Sequence, residues 1–278
     1  MAGIILAMLT AIFGGSFAGG VDDLKTDIAS YNQSAFEFCT SLNSVAVKPV
    51  AATILAIILV LELARLSTRY EGDSKSGTQQ IALALLKAAL ILIAIANVDL
   101  ILSSINEAGE KITAGVVAQS PDTVAGGDLP ASVKTAVDDL GMADKAGLML
   151  VLFLPWLLSI VASIGVKIIV LLRFAEIYIL SAAATLPLVF LSHPETKSIG
   201  VGYLRRYAGA VLHGVVIILC ITIYSYFQVE MVDVNSLTGD NMLSTLTANL
   251  AGLIAGPVFF LTLLFGSSRM AKAFLGEG

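Results

Sequence analysis

Residues 45–66 read VAVKPVAATILAIILVLELARL, and this stretch decides the class of protein. Lys48 lies near one end and Glu62 and Arg65 lie near the other, while every position from 49 to 61 is uncharged. A helix of about 20 predominantly apolar residues is long enough to cross the hydrocarbon core of a bilayer. The stretch therefore predicts a transmembrane helix.

Comparable apolar runs recur along the chain, at Ile81–Leu102, Gly147–Ser192, Ala208–Phe227 and Leu246–Phe265. Hydrophobic residues make up 57% of the 278 residues and charged residues only 13%, against roughly 25% charged in an average soluble domain. This composition excludes a cytosolic enzyme, a secreted disulfide scaffold and a disordered regulator. It predicts an all-α, polytopic transmembrane helix bundle with five to six spans. The sixth depends on Met1–Gly20, which either crosses the membrane or lies along its outer surface.

The distribution of lysine and arginine predicts the orientation of the chain. Basic residues are concentrated at 67–79, at 193–206 and in the C-terminal tail, whereas 21–44, 103–146 and 229–244 are acidic. Because short cytoplasmic loops carry an excess of Lys and Arg, the basic segments are predicted inside and the acidic ones outside. The tract Gly147–Ser192 must then cross an odd number of times, and its length suits a single crossing.

We therefore predict one long central helix at Gly147–Leu172, followed by a re-entrant or broken segment at Phe174–Ser192. Pro187 favours the break because proline lacks an N–H donor and clashes with the preceding helical turn. Non-helical backbone at membrane depth requires cover from protein or water, so the segment should pack against other helices.

Four regions follow from these assignments. We expect an N-terminal apolar segment with an extracytoplasmic stretch, a hairpin of two spans, an acidic extracytoplasmic loop, and a final region. The final region holds the long helix, the broken segment, two further spans and a cytoplasmic tail. Their bounds are 1–44, 45–102, 103–146 and 147–278.

Ionisable groups inside the apolar runs are the first candidate functional residues, because charges in the bilayer are costly. Glu62, Lys87 and Asp99 are such groups. Lys87 and Asp99 are more than three helical turns apart and cannot pair with each other directly. They form either a polar lining to a central passage or structural ion pairs and snorkelling side chains.

Two further sets of charges have simpler interpretations. Arg173 and Glu176, at i and i+3, are predicted to form a structural pair on one helix face. A predicted cytoplasmic basic face could meet DNA phosphates or anionic lipid, or could reflect only the ordinary positive-inside bias. Its members are Lys197, Arg205 and Arg206.

No catalytic constellation can be assembled from the sequence. There is no H-E-x-x-H zinc motif and no G-x-x-x-x-G-K-[ST] nucleotide loop, and the two histidines are His193 and His213. His213 lies among small residues and is expected to form an interhelical hydrogen bond. We expect no enzymatic activity, no catalytic residue, no metal site and no cofactor.

The stretch RFAEIYILSAAATLPLVFLSHPETKSIGVGYLRRYAGAVLHGVVIILC, residues 173–220, has a distinctive order. An Arg-x-x-Glu pair enters an apolar segment with a proline, and a short turn with Glu195, Thr196, Lys197 and Gly200 follows. The chain closes with FGSSRMAKAFLG. This pattern resembles the TrbL-type conjugal transfer proteins, polytopic inner-membrane subunits of type IV secretion systems, best over residues 173–276.

The resemblance implies a non-enzymatic channel or scaffold subunit that helps pass single-stranded DNA or protein across the cytoplasmic membrane. It implies a homo-oligomeric ring, and contacts with other secretion-system membrane subunits, with the pilin or stalk, with secretion ATPases and with membrane lipids. The alternative is a secondary transporter or channel for a small solute, in which Glu62, Lys87 and Asp99 would be coupling groups.

Overall fold

The structure is a computed structural model that describes residues 1–13, 18–69, 74–120, 129–231 and 241–276. Within these ranges the secondary structure is helical and includes no strand. Five helices in the described part are long and apolar enough to cross a membrane. The predicted all-α transmembrane bundle is therefore confirmed, with five candidate spans.

The helices are numbered in chain order. The first half contains α1 Ala2–Phe13, α2 Ala18–Lys25, α3 Ile28–Tyr31, α4 Gln33–Leu42, α5 Lys48–Arg69 and α6 Ser74–Ala96, with a π-helical turn at Asn43–Val47 that joins α4 to α5. The second half contains α7 Val98–Ala118, α8 Ala131–Asp139, α9 Met142–Ala182, α10 Thr185–Val189, a 3₁₀ turn Phe190–Ser192, α11 Lys197–Met231, α12 Met242–Ala248 and α13 Leu250–Phe274.

The chain divides into two compact units, and the first contains Met1–Asp27, Glu110–Arg173 and Leu212–Gly278. One core of this unit is built around α1, whose apolar residues pack against α8, the start of α9, and α12. With 12 residues, α1 is shorter than the ~20 residues that a crossing needs. The described part of the N-terminal apolar segment therefore packs one face into this core and is too short by itself to form a sixth span.

The second unit contains Ile28–Gly109 and Phe174–Val211. Helices α5 and α6 form its hairpin, and α10 with the following 3₁₀ turn packs against both of them. In α10, Thr185, Leu188 and Val189 are buried. Asn43 in the π-helical turn is also buried, and its Oδ1 accepts a hydrogen bond from Thr185 Oγ1 at 2.8 Å. The interrupted backbone is thus covered by protein, as non-helical structure at membrane depth requires.

The position of the break differs from the prediction. Helix α9 continues without interruption from Met142 to Ala182, beyond the predicted end at Leu172, so the broken segment is only residues 183–192. The charges at Arg173 and Glu176 do not end the helix, because a charged side chain leaves the backbone hydrogen bonds intact. Pro187 does end it, because its ring clashes with the carbonyl four residues earlier, at position 183.

Other element boundaries also differ. The first span begins at Gln33, since the π-helical turn continues α4 into α5, and the second ends at Ala96. The last two spans begin at Lys197 and Leu250. Within the predicted loop 103–146, α8 forms a short helix, and α7 extends to Ala118. Residues 121–128 of that loop lie outside the described residues.

Candidate functional site

A polar pocket in the second unit brings together two of the three predicted intramembrane charges. Glu62 of α5 and Lys87 of α6 both line it, together with Ser192 at the end of the broken segment and His193 directly after it. The remaining walls are apolar, formed by Leu55, Ile58, Leu59, Ala84 and Ala88. Asp99 is not among the lining residues.

Helical periodicity explains the composition of these walls. On α5, positions 55, 58, 59 and 62 share one face, and on α6, positions 84, 87 and 88 do the same, because residues three and four apart are neighbours on a helix surface. Each apolar face therefore carries one charged residue into the pocket. His193 comes from the chain immediately after the 3₁₀ turn, which lies against both helices.

Glu62 makes its closest polar contact with His193, whose Nε2 lies 3.0 Å from Glu62 Oε2. His193 Nδ1 accepts a hydrogen bond from the backbone N–H of Glu195 at 3.2 Å. Oε2 of Glu62 is buried and has no hydrogen-bond partner within the described structure, so the approach of His193 is a close contact between a carboxylate and an imidazole and not a hydrogen bond.

Arg65 contacts both His193 and Glu195. Its Nη1 is 3.2 Å from His193 Nε2 and also donates to Glu195 Oε1 at 3.2 Å. The contact with Glu195 is an ion pair, whereas the role of His193 Nε2 in its contact with Arg65 depends on the tautomer of the ring. The Arg65 and Glu195 side chains are exposed, and an exposed ion pair contributes little to stability, about 0–1 kcal/mol. It helps to hold the turn at 193–196 against α5.

Lys87 and Asp99 have different surroundings. Asp99 accepts a hydrogen bond from Lys48 Nζ at 3.2 Å, which forms an ion pair between α7 and α5. For Asp99 this contact is a structural ion pair, one of the two alternatives that the sequence analysis left open. Lys87 is exposed, and within the described residues it makes no ion pair or hydrogen bond. The ammonium of Lys87 is therefore the open charge of the pocket.

The ion pair predicted between Arg173 and Glu176 remains a prediction. The structure shows other contacts for each of the two side chains. Glu176 Oε1 accepts hydrogen bonds from Nε and Nη2 of Arg206, both at 3.3 Å. Arg173 is buried, with 6% of its surface exposed, and its guanidinium lies against the backbone of Gly214. Glu176 thus connects α9 to one member of the predicted basic face.

The contacts of α9 also limit the predicted orientation. Tyr178 donates a hydrogen bond to Ile28 O at 2.7 Å, while Glu176, two residues earlier, binds Arg206. These contacts place Ile28 and Arg206 too close together for opposite surfaces of a hydrocarbon core about 30 Å thick. If the basic face is cytoplasmic, the stretch around Ile28 therefore does not lie at the opposite surface of the membrane.

His213 forms the interhelical hydrogen bond expected of it. Its Nε2 lies 2.9 Å from Ser267 Oγ, and that hydroxyl donates to Leu264 O at 2.6 Å. The serine oxygen therefore accepts the histidine N–H. Across the residues that the structure describes, no group of three or more His, Cys, Asp and Glu side chains is arranged to hold a metal ion.

Comparison with known families decides the assignment. The model of the TrbL/VirB6 plasmid conjugal transfer-like protein family matches residues 21–185, which is more than half of the chain. The chain belongs to this family. The match covers helices of the N-terminal and central parts of the chain, whereas the sequence pattern favoured residues 173–276. Family membership identifies a multi-pass membrane component of conjugal transfer or type IV secretion. No curated protein matches the chain.

Sequence reasoning missed three residues of the polar pocket's surroundings. The sequence shows His193 only as a lone histidine, Arg65 as a charge at the end of a span, and Glu195 as part of a turn. It does not predict that all three lie around Glu62. Lys48 likewise marks only the end of a span, although it pairs with Asp99, 51 residues away. Contacts over such separations have no local sequence signal.

Proposed function

We propose that this protein is a membrane-embedded scaffold or channel subunit of a type IV secretion or conjugation apparatus, and that it helps pass DNA or protein across the cytoplasmic membrane. The family match carries this proposal, and the five candidate spans support it. In this role the chain binds and positions other components, and an associated ATPase supplies the energy.

We further propose assembly as a homo-oligomeric ring in the cytoplasmic membrane, with the C-terminus inside. The partners would be other membrane subunits, the pilin or stalk, secretion ATPases, and single-stranded DNA in transit. The hairpin supports such an assembly because only 11% of each of its two apolar windows is buried inside the chain. This leaves a broad apolar surface for lipid and neighbouring subunits.

We infer a smaller role for the three intramembrane charges in lining the passage of this ring, because of the contacts that they make. Asp99 needs no wet centre, since Lys48 already pairs with it. Glu62 faces His193, so among these three charges Lys87 is the open one. We therefore propose that Ile81–Leu102 contributes to the assembly mainly through its apolar surface. The proposed basic face at Lys197, Arg205 and Arg206 would lie near the cytoplasmic entrance.

Purification from native membranes tests the proposal against the alternative of a secondary transporter. Full-length protein with an affinity tag is extracted in mild detergent from cells that carry the native transfer locus, and the complex is analysed by native mass spectrometry. We expect several copies of the chain, with other transfer subunits bound. A chain that is monomeric and free of those subunits in every detergent tested would contradict the scaffold and favour the transporter.

A further inference from the structure

Helix α7 runs beside the central span α11 in the same direction. Early on this shared path, Tyr207 Oη donates a hydrogen bond to Asn106 Oδ1 at 3.0 Å. At its far end, just after α7, the hydroxyl oxygens of Ser120 and Thr222 lie 2.9 Å apart. The two contacts are 14 residues apart on the first segment and 15 residues apart on the second, so both segments rise together by about 20 Å.

The far end of this path lies level with the middle of the span α13. Tyr224, two residues after Thr222, packs against Phe260 of α13, with ring centroids 4.9 Å apart. From its start at Leu250 to Ser268, α13 carries no charged side chain. At 1.5 Å per residue, Phe260 is about 15 Å from the start of this uncharged run and about 12 Å from its end. Helix α7 therefore ends near the middle of the bilayer.

A helix end at this depth is incompatible with lipid. The last carbonyl groups of a helix have no partner within the helix, and lipid-exposed irregular backbone does not occur inside the hydrocarbon region. Ala118 is the last residue of α7, and both Ala118 and the following Gln119 are exposed. Water or another protein must therefore meet this end of α7.

The exposed face of α7 that leads to this end is also unlike a lipid-facing surface. Exposed residues follow one another along it at spacings of three and four, which places them on one side of the helix. They are Ser104, Glu107, Lys111, Ala114 and Ala118. The exposed residues of α9 between positions 150 and 164 are instead all large and apolar, namely Leu150, Phe153, Leu154, Leu157, Val161 and Ile164. The chain thus presents two different kinds of exposed helix surface.

We propose that the exposed face of α7 lines a water-filled passage that begins at the level of Arg206 and reaches the middle of the membrane. Glu107 and Lys111 lie near its entrance, because Asn106 contacts Tyr207, the neighbour of Arg206. In the proposed ring, on which this inference rests, α7 forms the inner wall and the apolar face of α9 contacts lipid. Residues 104–118 of the predicted outer loop would then lie at membrane depth and in contact with water.

The test is the rate at which single cysteines react with a charged methanethiosulfonate reagent. The full chain is kept in membranes of cells that carry the native transfer locus, and Cys39→Ser with Cys220→Ala removes its own thiols. Ala118→Cys then places a thiol at the end of α7, and Gln119→Cys repeats the test at the next exposed position if the first variant is not produced.

The control is Ile164→Cys on the exposed face of α9. It is matched in depth, because a Cβ at the neighbouring Gly165 would lie 3.3 Å from Leu261 Cδ2, one residue after Phe260. The reagent attacks the thiolate, whose formation is suppressed in apolar surroundings. One unit of thiol pKa changes the thiolate fraction about tenfold, so we expect Ala118→Cys to react at least about tenfold faster than Ile164→Cys.

Equal rates for the two thiols would overturn the inference, because lipid or a partner helix would then cover α7, and the proposed function would be unaffected. A second measurement ties the water to the path of the cargo. Modification of Ala118→Cys in donor cells should lower the frequency of plasmid transfer, whereas modification of Ile164→Cys should not. Fast reaction of Ala118→Cys without any effect on transfer would remove α7 from the wall of the passage.

Discussion

Replacement of Gly200 by alanine is expected to destabilise the second unit by about 1–3 kcal/mol, the usual cost of overpacking. Gly200 is in the first turns of α11, where it is buried against the broken segment. A Cβ at this position would lie 2.5 Å from Leu191 Cγ and 2.9 Å from Pro187 O. The second contact is with backbone, which no rotamer change can relieve, so α11 and α10 must separate.

Gly202→Ala is the matched control for Gly200→Ala. It lies two residues further along α11, and a Cβ added there would meet no atom within 4 Å. Alanine is favoured over glycine in a helix by about 1 kcal/mol, so the control should be neutral or stabilising. Thermal unfolding of both variants in detergent measures the difference. Equal melting temperatures would show that α11 does not approach the broken segment this closely.

Gly109→Ala is expected to produce the second large loss of stability, because Gly109 is the point of close approach between α7 and α11. A Cβ at Gly109 would overlap Val211 Cγ1. Valine is held almost entirely in one χ1 rotamer within a helix, and Val211 is buried, with 2% of its surface exposed. The valine cannot turn away, so the two helices must move apart, at a cost of about 1–3 kcal/mol.

The control for Gly109→Ala is Gly115→Ala in the same helix. Gly115 is exposed, and an added Cβ there would meet nothing within 4 Å. A double variant provides a second check. Val211→Ala removes the methyl groups that an added Cβ at position 109 would meet, so Val211→Ala combined with Gly109→Ala should recover part of the lost stability. Failure of that double variant to recover any of it would contradict the proposed contact.

The number and type of spans were predictable, whereas their ends were not. A run such as residues 45–66 reports hydrophobicity over the thickness of a bilayer, and that is sufficient to identify a helix. It does not report where the hydrogen-bonded backbone stops, which is why α9 continues through Arg173 and Glu176 to Ala182. The break could be inferred from Pro187, but its exact place depends on the clash four residues earlier.

Two charged residues of the pocket, Glu62 and Lys87, could be identified from the sequence, whereas the residues that surround them could not. Glu62, Lys87 and Asp99 were identifiable because each is a charge within an apolar run, where charges are costly. Their neighbours depend on tertiary packing, and so the pairing of Asp99 with Lys48 and the approach of His193 to Glu62 appear only in the structure. For Asp99 the structure supplies one of the two alternatives left open by the sequence, an ion pair between helices.

The most direct test of the proposed role is the frequency of plasmid transfer from donor cells that lack this chain. The gene is removed in frame from the native transfer locus, and the chain is supplied again from a second plasmid as wild type, as Gly200→Ala or as Gly202→Ala. We predict that the deletion abolishes transfer, that wild type and Gly202→Ala restore it, and that Gly200→Ala restores it poorly. Transfer at the normal frequency from the deletion strain would contradict the role of this protein in the apparatus.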